Sequence, residues 1–211
     1  VMPSRLEICY ITDRKSLQGR SLETFAPEVI RAGVNLIQVR EKDLETRALL
    51  DLAQRLVTAS QGRASRIVIN DRLDIALASG AAGVHLGHQS LPPAEIRRIV
   101  PPEFQVGVSC HSAAEVRAAR EDGADYALLG PIFETPSKIA YGPPLGLEPL
   151  RRAASEVSIP VLALGGITVE RVRRCRDAGA AGIAGIRLFQ EAPSVEQRVR
   201  ELRQVWGEPL D

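Results

Sequence analysis

The sequence has few of the features that mark secreted or metal-thiolate proteins. Cysteine occurs only three times in 211 residues, at Cys9, Cys110 and Cys175. The number is odd, the residues are far apart and no two form a C-x-x-C pair, which argues against a disulfide framework and a thiolate metal site. We expect three reduced, buried thiols instead.

Long hydrophobic runs and an excess of charge are also missing. No apolar run approaches the roughly 18 residues that a membrane span needs, and no signal-peptide hydrophobic region is found near the start. The formal net charge is +1 with 25% charged residues, and no basic stretch is interleaved with aromatic residues. We therefore expect no membrane and no nucleic-acid partner, and we predict a cytoplasmic protein.

The hydrophobic content is high enough for a substantial core, at 45% of the residues. The length falls in the single-domain range and near the lower end of the roughly 200 to 400 residues of an eight-unit α/β barrel. We predict one domain over residues 1–211.

One short phrase recurs along the chain: a helix-like stretch, a glycine, and then a β-rich run. Glycine just past a helix supplies a left-handed C-cap, and the apolar run that follows suits a strand buried on both faces. The phrase predicts a single (β/α)8 TIM barrel, with a doubly wound open sheet as the alternative. The glycines are Gly33, Gly80, Gly123 and Gly179. The predicted strands lie near residues 6–12, 34–40, 66–70, 82–86, 105–109, 125–129, 160–164 and 181–186.

Polar or glycine-rich residues follow most of these runs. Because a parallel barrel builds its active site from the loops at the carboxyl ends of its strands, we expect these residues to converge on a site for a phosphorylated ligand. They are Gln38, Arg40 and Lys42, then Asn70 and Asp71, His85, Ser109 with His111, Gly165 with Gly166, and Arg187.

The first group indicates an anion site. Gln38, Arg40 and Lys42 fall two apart, so they share one face of an extended strand. Two cations inside a barrel are costly unless they meet an anionic ligand or a charged partner. The alternative is an ion pair at the strand end with Glu41 or Asp43.

Asn70 and Asp71 place an amide and a carboxylate at the end of the third strand. Mg²⁺ prefers one or two carboxylates together with substrate phosphates and water, so Asp71 is a candidate metal ligand. The alternative is that Asp71 caps the helix that begins near RLDIAL.

Two histidines follow strands. His85 is more typical of a hydrogen-bonded histidine at a strand end than of a catalytic one. His111 lies in a βα loop beside Ser109, and histidine is the side chain that most often serves as a general acid or base, so it is a candidate for that role; a structural role for it stays open.

Glycines between the seventh strand and its helix, Gly165 and Gly166, allow a backbone to approach an anion at a helix N-terminus. With Arg187 at the next strand end, they match the phosphate site that many barrels form after strands seven and eight. The segment 131–149 contains five prolines, and its length and place after a strand are typical of an active-site lid.

Several motifs together resemble a known family. QVREKD, INDRLDIAL, GVHLG, SCHS, GPIFETPSK with PPLGL, and LALGGIT are similar to the motif series of the superfamily of thiamine-phosphate synthase and the TenI-type thiazole tautomerase. The resemblance extends from about residue 8 to residue 190.

The resemblance implies an enzyme of thiamine biosynthesis. A synthase joins hydroxymethylpyrimidine diphosphate to a thiazole phosphate and releases pyrophosphate, and its chemistry is thought to begin with departure of the diphosphate. The resemblance assigns Lys138 and His111 as catalytic residues and Asp71 to Mg²⁺. The substrate-binding residues that it implies are Gln38 for the pyrimidine, Arg40, Lys42, Asn70 and Ser109 with Lys138 for the diphosphate, Gly165, Gly166 and Ile186 for the thiazole phosphate, and Thr135 and Arg187 beside them.

Three departures from the synthase pattern keep other activities open. Ser90 stands where synthases carry a second magnesium-binding Asp, so Mg²⁺ binding is expected to be weakened or absent if Ser90 cannot replace it. Arg187 replaces a serine, and Glu134 replaces a common proline, as in the tautomerase. The alternatives are a tautomerase that isomerises a thiazole carboxylate phosphate through His111, and a non-catalytic barrel that binds a thiazole or thiamine phosphate. We expect small phosphorylated substrates, and the sequence leaves open whether the protein forms a homodimer.

Overall fold

Eight parallel strands form a closed barrel in the computed structural model, which describes residues 5–135 and 143–209. The strands follow one another around the barrel in chain order, and the last pairs with the first. The predicted (β/α)8 TIM barrel is therefore confirmed, and the open sheet is wrong. The strands are β1 (Glu7–Ile11), β2 (Leu36–Val39), β3 (Arg66–Asn70), β4 (Gly83–Leu86), β5 (Gln105–Cys110), β6 (Tyr126–Leu129), β7 (Val161–Leu164) and β8 (Gly182–Gly185).

Helices follow the strands and cover the outside of the barrel. In the described part of the chain, none of them is both long and apolar enough to cross a bilayer. They are α1 (Leu22–Arg31), α2 (Thr46–Ser60), α3 (Leu73–Ser79), α4 (Pro93–Arg97), α5 (Ala113–Glu121), α6 (Leu147–Glu156), α7 (Val169–Asp177), α8 (Arg187–Gln190) and α9 (Val195–Trp206), with a short 3₁₀ helix at Arg14–Ser16.

The core has two parts because successive residues of a strand point to opposite faces. One set of side chains packs between strands and helices, and it includes Ile37 and Val84. A second, smaller set fills the barrel interior, and it includes Leu36, Val68 and Leu128. Both sets are apolar, as expected for strands covered on both faces.

The three cysteines are free and buried, as the sequence predicts. Burial raises the pKa of each thiol, to about 12 for Cys110. The thiols are therefore protonated and unreactive near neutral pH.

The helix ends bear out most of the capping signals. Gly80 ends α3 in the left-handed conformation, with φ 71°, and the other three glycines of the repeated phrase also have positive φ. Ser112 caps α5 by accepting a hydrogen bond from the Glu115 amide. Thr168 occupies the N-cap position of α7, but its side chain makes no capping hydrogen bond to the helix.

A glycine makes room for an aromatic ring inside the barrel. Gly107 on β5 is in register with Tyr126 on β6. A Cβ atom on residue 107 would lie 2.0 Å from Cζ of Tyr126, far inside van der Waals contact. The tyrosine side chain therefore extends across the space that a larger residue at position 107 would fill.

The loop after β6 is shorter than the sequence suggests. Helix α6 begins at Leu147, so Pro149 lies in the first turn of that helix and not in a loop. The two described ends of the loop are joined, since the Leu145 and Gly146 amides donate to the carbonyls of Pro131 (2.8 Å) and Ile132 (3.0 Å). Residues 136–142 lie outside the described residues, so the lid stays a prediction.

Candidate active site

Polar side chains from neighbouring strands meet near the carboxyl end of the barrel. Gln38, Asn70, His85 and Ser109 alternate with residues of the outer core, which places them on the interior face. Asn70 on β3 is in register with His85 on β4. These four groups are thus brought together although they are distant in sequence.

Gln38 has an unpartnered donor in this interior. The residue is 2% exposed, and its side-chain nitrogen Nε2 is buried with no hydrogen-bond partner among the residues that the structure describes. Its strand neighbours are Ile11 and Val68. A buried amide without a partner costs about 1–3 kcal/mol, so this donor is suited to an acceptor that a ligand brings.

Arg40 makes no ion pair with any residue that the structure describes. The acids on either side of Lys42 are taken by Arg14, whose guanidinium contacts Glu41 at 3.3 Å and Asp43 at 2.6 Å. Hydrogen bonds from Arg14, assisted by Lys15, hold the pKa of Asp43 well below its usual value. The alternative of an ion pair between Arg40 and Glu41 or Asp43 is therefore wrong.

The backbone of Arg40 is fixed from β1. Its amide donates to Oγ1 of the buried Thr12 at 2.9 Å, and the Thr12 amide donates to the Gln38 carbonyl. These bonds hold the β2 end while the Arg40 residue itself stays exposed.

Asp71 receives hydrogen bonds from three sides. Its Oδ1 accepts from the Gly87 amide at 3.0 Å and from the Ser90 hydroxyl, and its Oδ2 accepts from Asn70 Nδ2 at 2.7 Å. Lys42 Nζ lies 3.7 Å from Oδ2. Burial raises the pKa of Asp71, but the Ser90 and Gly87 hydrogen bonds and the Lys42 charge outweigh it, so the pKa is lowered overall.

Asp71 does not cap the following helix. Helix α3 begins at Leu73, its N-cap position is Arg72, and no side chain makes a capping hydrogen bond there. Asp71 has φ 60°, a left-handed conformation that aspartate tolerates better than most residues. The capping alternative is therefore wrong, and the carboxylate is held toward the β4 end.

The oxygen donors around Asp71 fit Mg²⁺ only in part. Among residues 5–135 and 143–209, no group of three His, Cys, Asp or Glu residues is arranged to hold a metal. Asp71 offers a carboxylate and Ser90 offers a hydroxyl beside it, while Asn70 turns its amide nitrogen toward Asp71 Oδ2. Mg²⁺ commonly keeps several waters and binds one or two carboxylates plus substrate phosphates, so this set fits an ion that a phosphate completes.

His85 links a buried tyrosine to the barrel mouth. Its Nδ1 lies 3.0 Å from the Tyr126 hydroxyl and its Nε2 lies 2.8 Å from Ser109 Oγ. Burial lowers the pKa of His85 to about 3 and raises the pKa of Tyr126 well above its usual value. Both rings are therefore neutral near pH 7, and His85 is hydrogen-bonded on both sides, as expected for a structural histidine.

Only one ring nitrogen of His111 has a hydrogen-bond partner among residues 5–135 and 143–209. Its Nδ1 lies 2.7 Å from the Gly130 carbonyl oxygen, which can only accept, so Nδ1 carries the proton. In the neutral ring, Nε2 is then an acceptor. The His111 amide donates to the Glu115 carboxylate at 2.7 Å, and the residue is exposed, so this ring can accept a proton from a ligand.

Gly165 and Gly166 are in close contact with the loop after β6. A Cβ on Gly165 would lie 2.6 Å from Pro131 Cα, and one on Gly166 would lie 2.4 Å from the Glu134 carbonyl oxygen. Both have positive φ, at 94° and 64°. Packing of the loop thus requires these glycines, whatever they contribute to binding an anion.

Helix α7 also holds this loop. Arg171 donates to the Gly166 carbonyl at 2.7 Å, and its guanidinium lies 4.8 Å from the centre of the Phe133 ring. Arg174 lies 5.3 Å from the same ring. Two arginines of α7 therefore anchor the loop after β6.

Arg187 reaches across to the same loop. Its Nη2 donates to Oγ1 of Thr135 at 3.0 Å, and Thr135 is buried. Ile186 packs against the interior cluster of the barrel. Lys138, the remaining predicted residue, lies outside the described residues.

Three contributing residues are missed by sequence reasoning. Tyr126 stands in an apolar strand and is indistinguishable from a core residue. Thr12 and Arg14 follow β1, and their contacts with β2 link residues 28 and 27 positions apart. The polar end of the β1 run is the only signal that could have found the last two.

Comparisons with known proteins agree with this geometry. A family model described as thiamine monophosphate synthase matches residues 8–189. A putative thiamine-phosphate synthase of Geobacter sulfurreducens is 43% identical over 91% of this chain and 90% of its own length. A thiamine-phosphate synthase of Roseiflexus castenholzii is 41% identical over 95% of this chain and 88% of its own length.

A solved structure agrees as well. Thiamine phosphate pyrophosphorylase from Pyrococcus furiosus superposes with a TM-score of 0.86 at 31% identity, covering 98% of each chain. The predicted enzyme of thiamine biosynthesis, of the synthase type, is confirmed by these relatives. The chain belongs to the thiamine monophosphate synthase family.

Proposed function

We propose that this chain joins hydroxymethylpyrimidine diphosphate to a thiazole phosphate, giving thiamine phosphate and pyrophosphate. The observation that carries the proposal is the buried, unpartnered Nε2 of Gln38 inside the barrel. A heteroaromatic nitrogen of the pyrimidine would accept from this amide and remove its desolvation cost. Gln38 would thereby orient the ring whose exocyclic carbon reacts.

The diphosphate would bind where positive charge is available. Arg40 has no ion pair among the described residues, and Lys42 lies at the edge of the same site beside Asp71. Asn70 and Ser109 would add neutral donors, and Lys138 is a further cation of the predicted set. Fixed cations stabilise the charge that develops on a departing diphosphate, which is the main contribution expected of the protein.

Mg²⁺ would be held by Asp71, with the Ser90 hydroxyl as a neutral oxygen donor. When bound, it would neutralise part of the charge of the leaving pyrophosphate. Since the described residues place only one carboxylate there, the affinity of the free protein for the ion should be low, and substrate phosphates should complete the coordination.

The thiazole phosphate would bind on the other side of the barrel mouth from the diphosphate, at the ends of β7 and β8. Gly165, Gly166 and Ile186 would offer backbone amides, and Arg187 would offer a cation next to Thr135. Holding the two substrates on opposite sides of the mouth brings the thiazole nitrogen to the pyrimidine carbon as the diphosphate leaves.

One observation favours the tautomerase alternative. His111 presents an unprotonated Nε2 when neutral, because its Nδ1 proton is used on the Gly130 carbonyl. A base of this kind is what the isomerisation of a thiazole carboxylate phosphate needs. The synthase remains the better-supported proposal: Gln38, Lys42 and Asp71 favour it, because a tautomerase has no diphosphate or metal to hold.

Pyrophosphate release tests the proposed function. Purified protein with both synthase substrates should release pyrophosphate in the presence of Mg²⁺ and not in the presence of a chelator. Gln38→Leu should lower kcat/KM for the pyrimidine diphosphate by about 10- to 100-fold, because it removes an amide donor to a buried ligand atom. Gln61→Leu, an exposed glutamine just after α2, is the matched control.

No release of pyrophosphate under any condition would overturn the synthase proposal. Turnover of the thiazole carboxylate phosphate that disappears in His111→Gln would then establish the tautomerase. Tight binding of a thiazole phosphate without turnover of either substrate set would establish the non-catalytic barrel.

Ser90→Asp should strengthen metal binding. The substitution adds a second carboxylate next to Asp71, and the ion would then be held by two anionic groups. We expect the affinity of the free protein for Mn²⁺, measured by electron paramagnetic resonance as a probe for Mg²⁺, to rise by about 10-fold or more. An unchanged affinity would place the metal away from Asp71, and Ser90→Ala is the control for loss of the hydroxyl alone.

A further inference from the structure

Three side chains form a line of hydrogen bonds that starts inside the barrel and ends at its mouth. Tyr126 is 5% exposed and His85 is 1% exposed, whereas Ser109 is partly accessible. The line is continuous: the Tyr126 hydroxyl oxygen lies 3.0 Å from His85 Nδ1, and His85 Nε2 lies 2.8 Å from Ser109 Oγ. Ser109 is the only one of the three that a ligand could reach from the mouth.

The line can have only two directions when the imidazole is neutral, since a neutral ring has one N–H and one acceptor nitrogen. In the first, Tyr126 donates to Nδ1, and Nε2–H donates to Ser109 Oγ. In the second, Ser109 donates to Nε2, and Nδ1–H donates to the Tyr126 oxygen. The two directions leave different protons without a partner.

In the second direction the Tyr126 proton is stranded. Within the described residues, the only hydrogen-bond partner of its hydroxyl is His85 Nδ1, and the tyrosine packs in an apolar cluster with Cys9, Leu36 and Leu162. An unpaired buried hydroxyl proton is strongly disfavoured. In the first direction, the proton without a partner is that of the Ser109 hydroxyl, which lies at the mouth and can donate a hydrogen bond to a ligand or to water.

We propose that Tyr126 and His85 are positioning residues that keep the Ser109 hydroxyl a hydrogen-bond donor toward an anionic ligand in the barrel mouth. Because His85 Nε2–H occupies a lone pair of Ser109 Oγ, the hydroxyl hydrogen is directed away from the histidine. Hydrogen bonds in such a chain polarise one another, which strengthens the terminal donor. The identity of the anion as a diphosphate rests on the proposed function, but the direction of the line does not.

The tautomer of His85 is the direct test. Two-bond ¹H–¹⁵N correlation spectra distinguish an Nε2–H ring from an Nδ1–H ring, and His88→Gln and His111→Gln assign the signals of the other two histidines. We expect His85 to be the Nε2–H tautomer in the wild-type protein. An Nδ1–H ring would reverse the line and overturn the proposal.

A double-mutant cycle tests the consequence for binding. Inorganic pyrophosphate is titrated calorimetrically against the wild-type protein, Tyr126→Phe, Ser109→Ala and the double variant, each checked by thermal unfolding. Tyr126→Phe should weaken binding by about 5- to 10-fold, as for loss of one oriented hydrogen bond. In the Ser109→Ala background, it should have less than about a twofold effect, because the donor that it orients is gone.

A matched control separates orientation from stability. Tyr10 is another buried tyrosine, and its hydroxyl accepts from Gln190 Nε2 at 2.8 Å, so Tyr10→Phe removes a buried hydrogen bond away from Ser109. It should leave pyrophosphate affinity unchanged. An equal loss from Tyr126→Phe with and without Ser109 would show a merely structural role and overturn the proposal.

The outcomes for the two proposals are distinguishable. A wild-type protein with the Nε2–H tautomer that binds no pyrophosphate would contradict the proposed diphosphate site and the anionic ligand, while the direction of the hydrogen bonds would stand. An Nδ1–H tautomer in a protein that releases pyrophosphate would overturn the positioning role and leave the synthase intact.

Discussion

Asp71→Asn is expected to reduce pyrophosphate release by about 100-fold or more, because it removes the carboxylate that would hold the metal at the proposed site. Asparagine has nearly the same shape, and its amide oxygen can still accept from the Gly87 amide, as Asp71 does now at 3.0 Å. The fold should therefore be kept while the charge is lost. The measurements are kcat with both substrates as a function of Mg²⁺ concentration and Mn²⁺ binding to the free protein.

Asp74→Asn is the matched control for that variant. Asp74 lies three residues further on, in the first turn of α3, where it pairs with Arg72 at 2.6 Å, and no hydrogen bond or ion pair joins it to the strand-end groups that the structure describes. Its replacement should leave both measurements unchanged. An Asp71→Asn protein that retains activity with the same dependence on Mg²⁺ would show that the ion is held elsewhere.

Arg40→Ala is expected to lower kcat/KM for the pyrimidine diphosphate by about 100-fold. The guanidinium has no ion pair among the described residues because Arg14 satisfies the neighbouring acids, so its charge is available to the ligand. Arg40→Lys should recover only part of the loss, since a lysine cannot reproduce bidentate contacts to a phosphate. Steady-state kinetics with each substrate varied in turn would measure both effects.

Arg47→Ala provides the comparison, since Arg47 is an exposed arginine in the first turn of α2. It tests whether any loss follows simply from removing a positive charge nearby. If Arg40→Ala and Arg47→Ala weaken activity equally, Arg40 does not contact the diphosphate, and the anion site must be sought at another strand end.

The fold is readable from the sequence because each of its signals is local. A glycine such as Gly80 ends a helix in the left-handed conformation, and the apolar run after it forms a strand within one or two residues of its predicted bounds. The convergence of Gln38, Asn70 and Ser109 is equally readable, because parallel strands in register bring their carboxyl ends to one face.

What the sequence does not reveal depends on contacts between distant residues. Nothing in the sequence around Arg40 indicates that Glu41 is paired with Arg14, which lies in the 3₁₀ helix after β1, so the alternative of a local ion pair could not be excluded. The hydrogen bonds of Asp71 with Gly87 and Ser90 likewise connect two loops after different strands. The sequence around Asp71 is equally consistent with a local helix cap and with hydrogen bonds to a distant loop.

Gly165 and Gly166 show a second reason why the sequence does not reveal the whole site. Glycine allows a backbone to approach either an anion or another segment of the chain, and sequence alone cannot distinguish the two. In the structure, Pro131 lies where a side chain on Gly165 would begin, and the Glu134 carbonyl oxygen lies where one on Gly166 would begin. A side chain at either glycine would therefore disturb the loop first and the ligand only through it.

The residues allowed at positions 107 and 126 depend on each other, although neither residue binds a substrate or reacts. As long as Tyr126 occupies the space at Gly107, residue 107 cannot acquire a side chain, and a chain that loses the tyrosine is released from this constraint. The two positions should therefore vary together in an alignment of relatives, with glycine accompanying tyrosine and larger residues accompanying its loss. Covariation of this kind would identify the members of the family that orient Ser109 through His85, before any of them is crystallised or assayed.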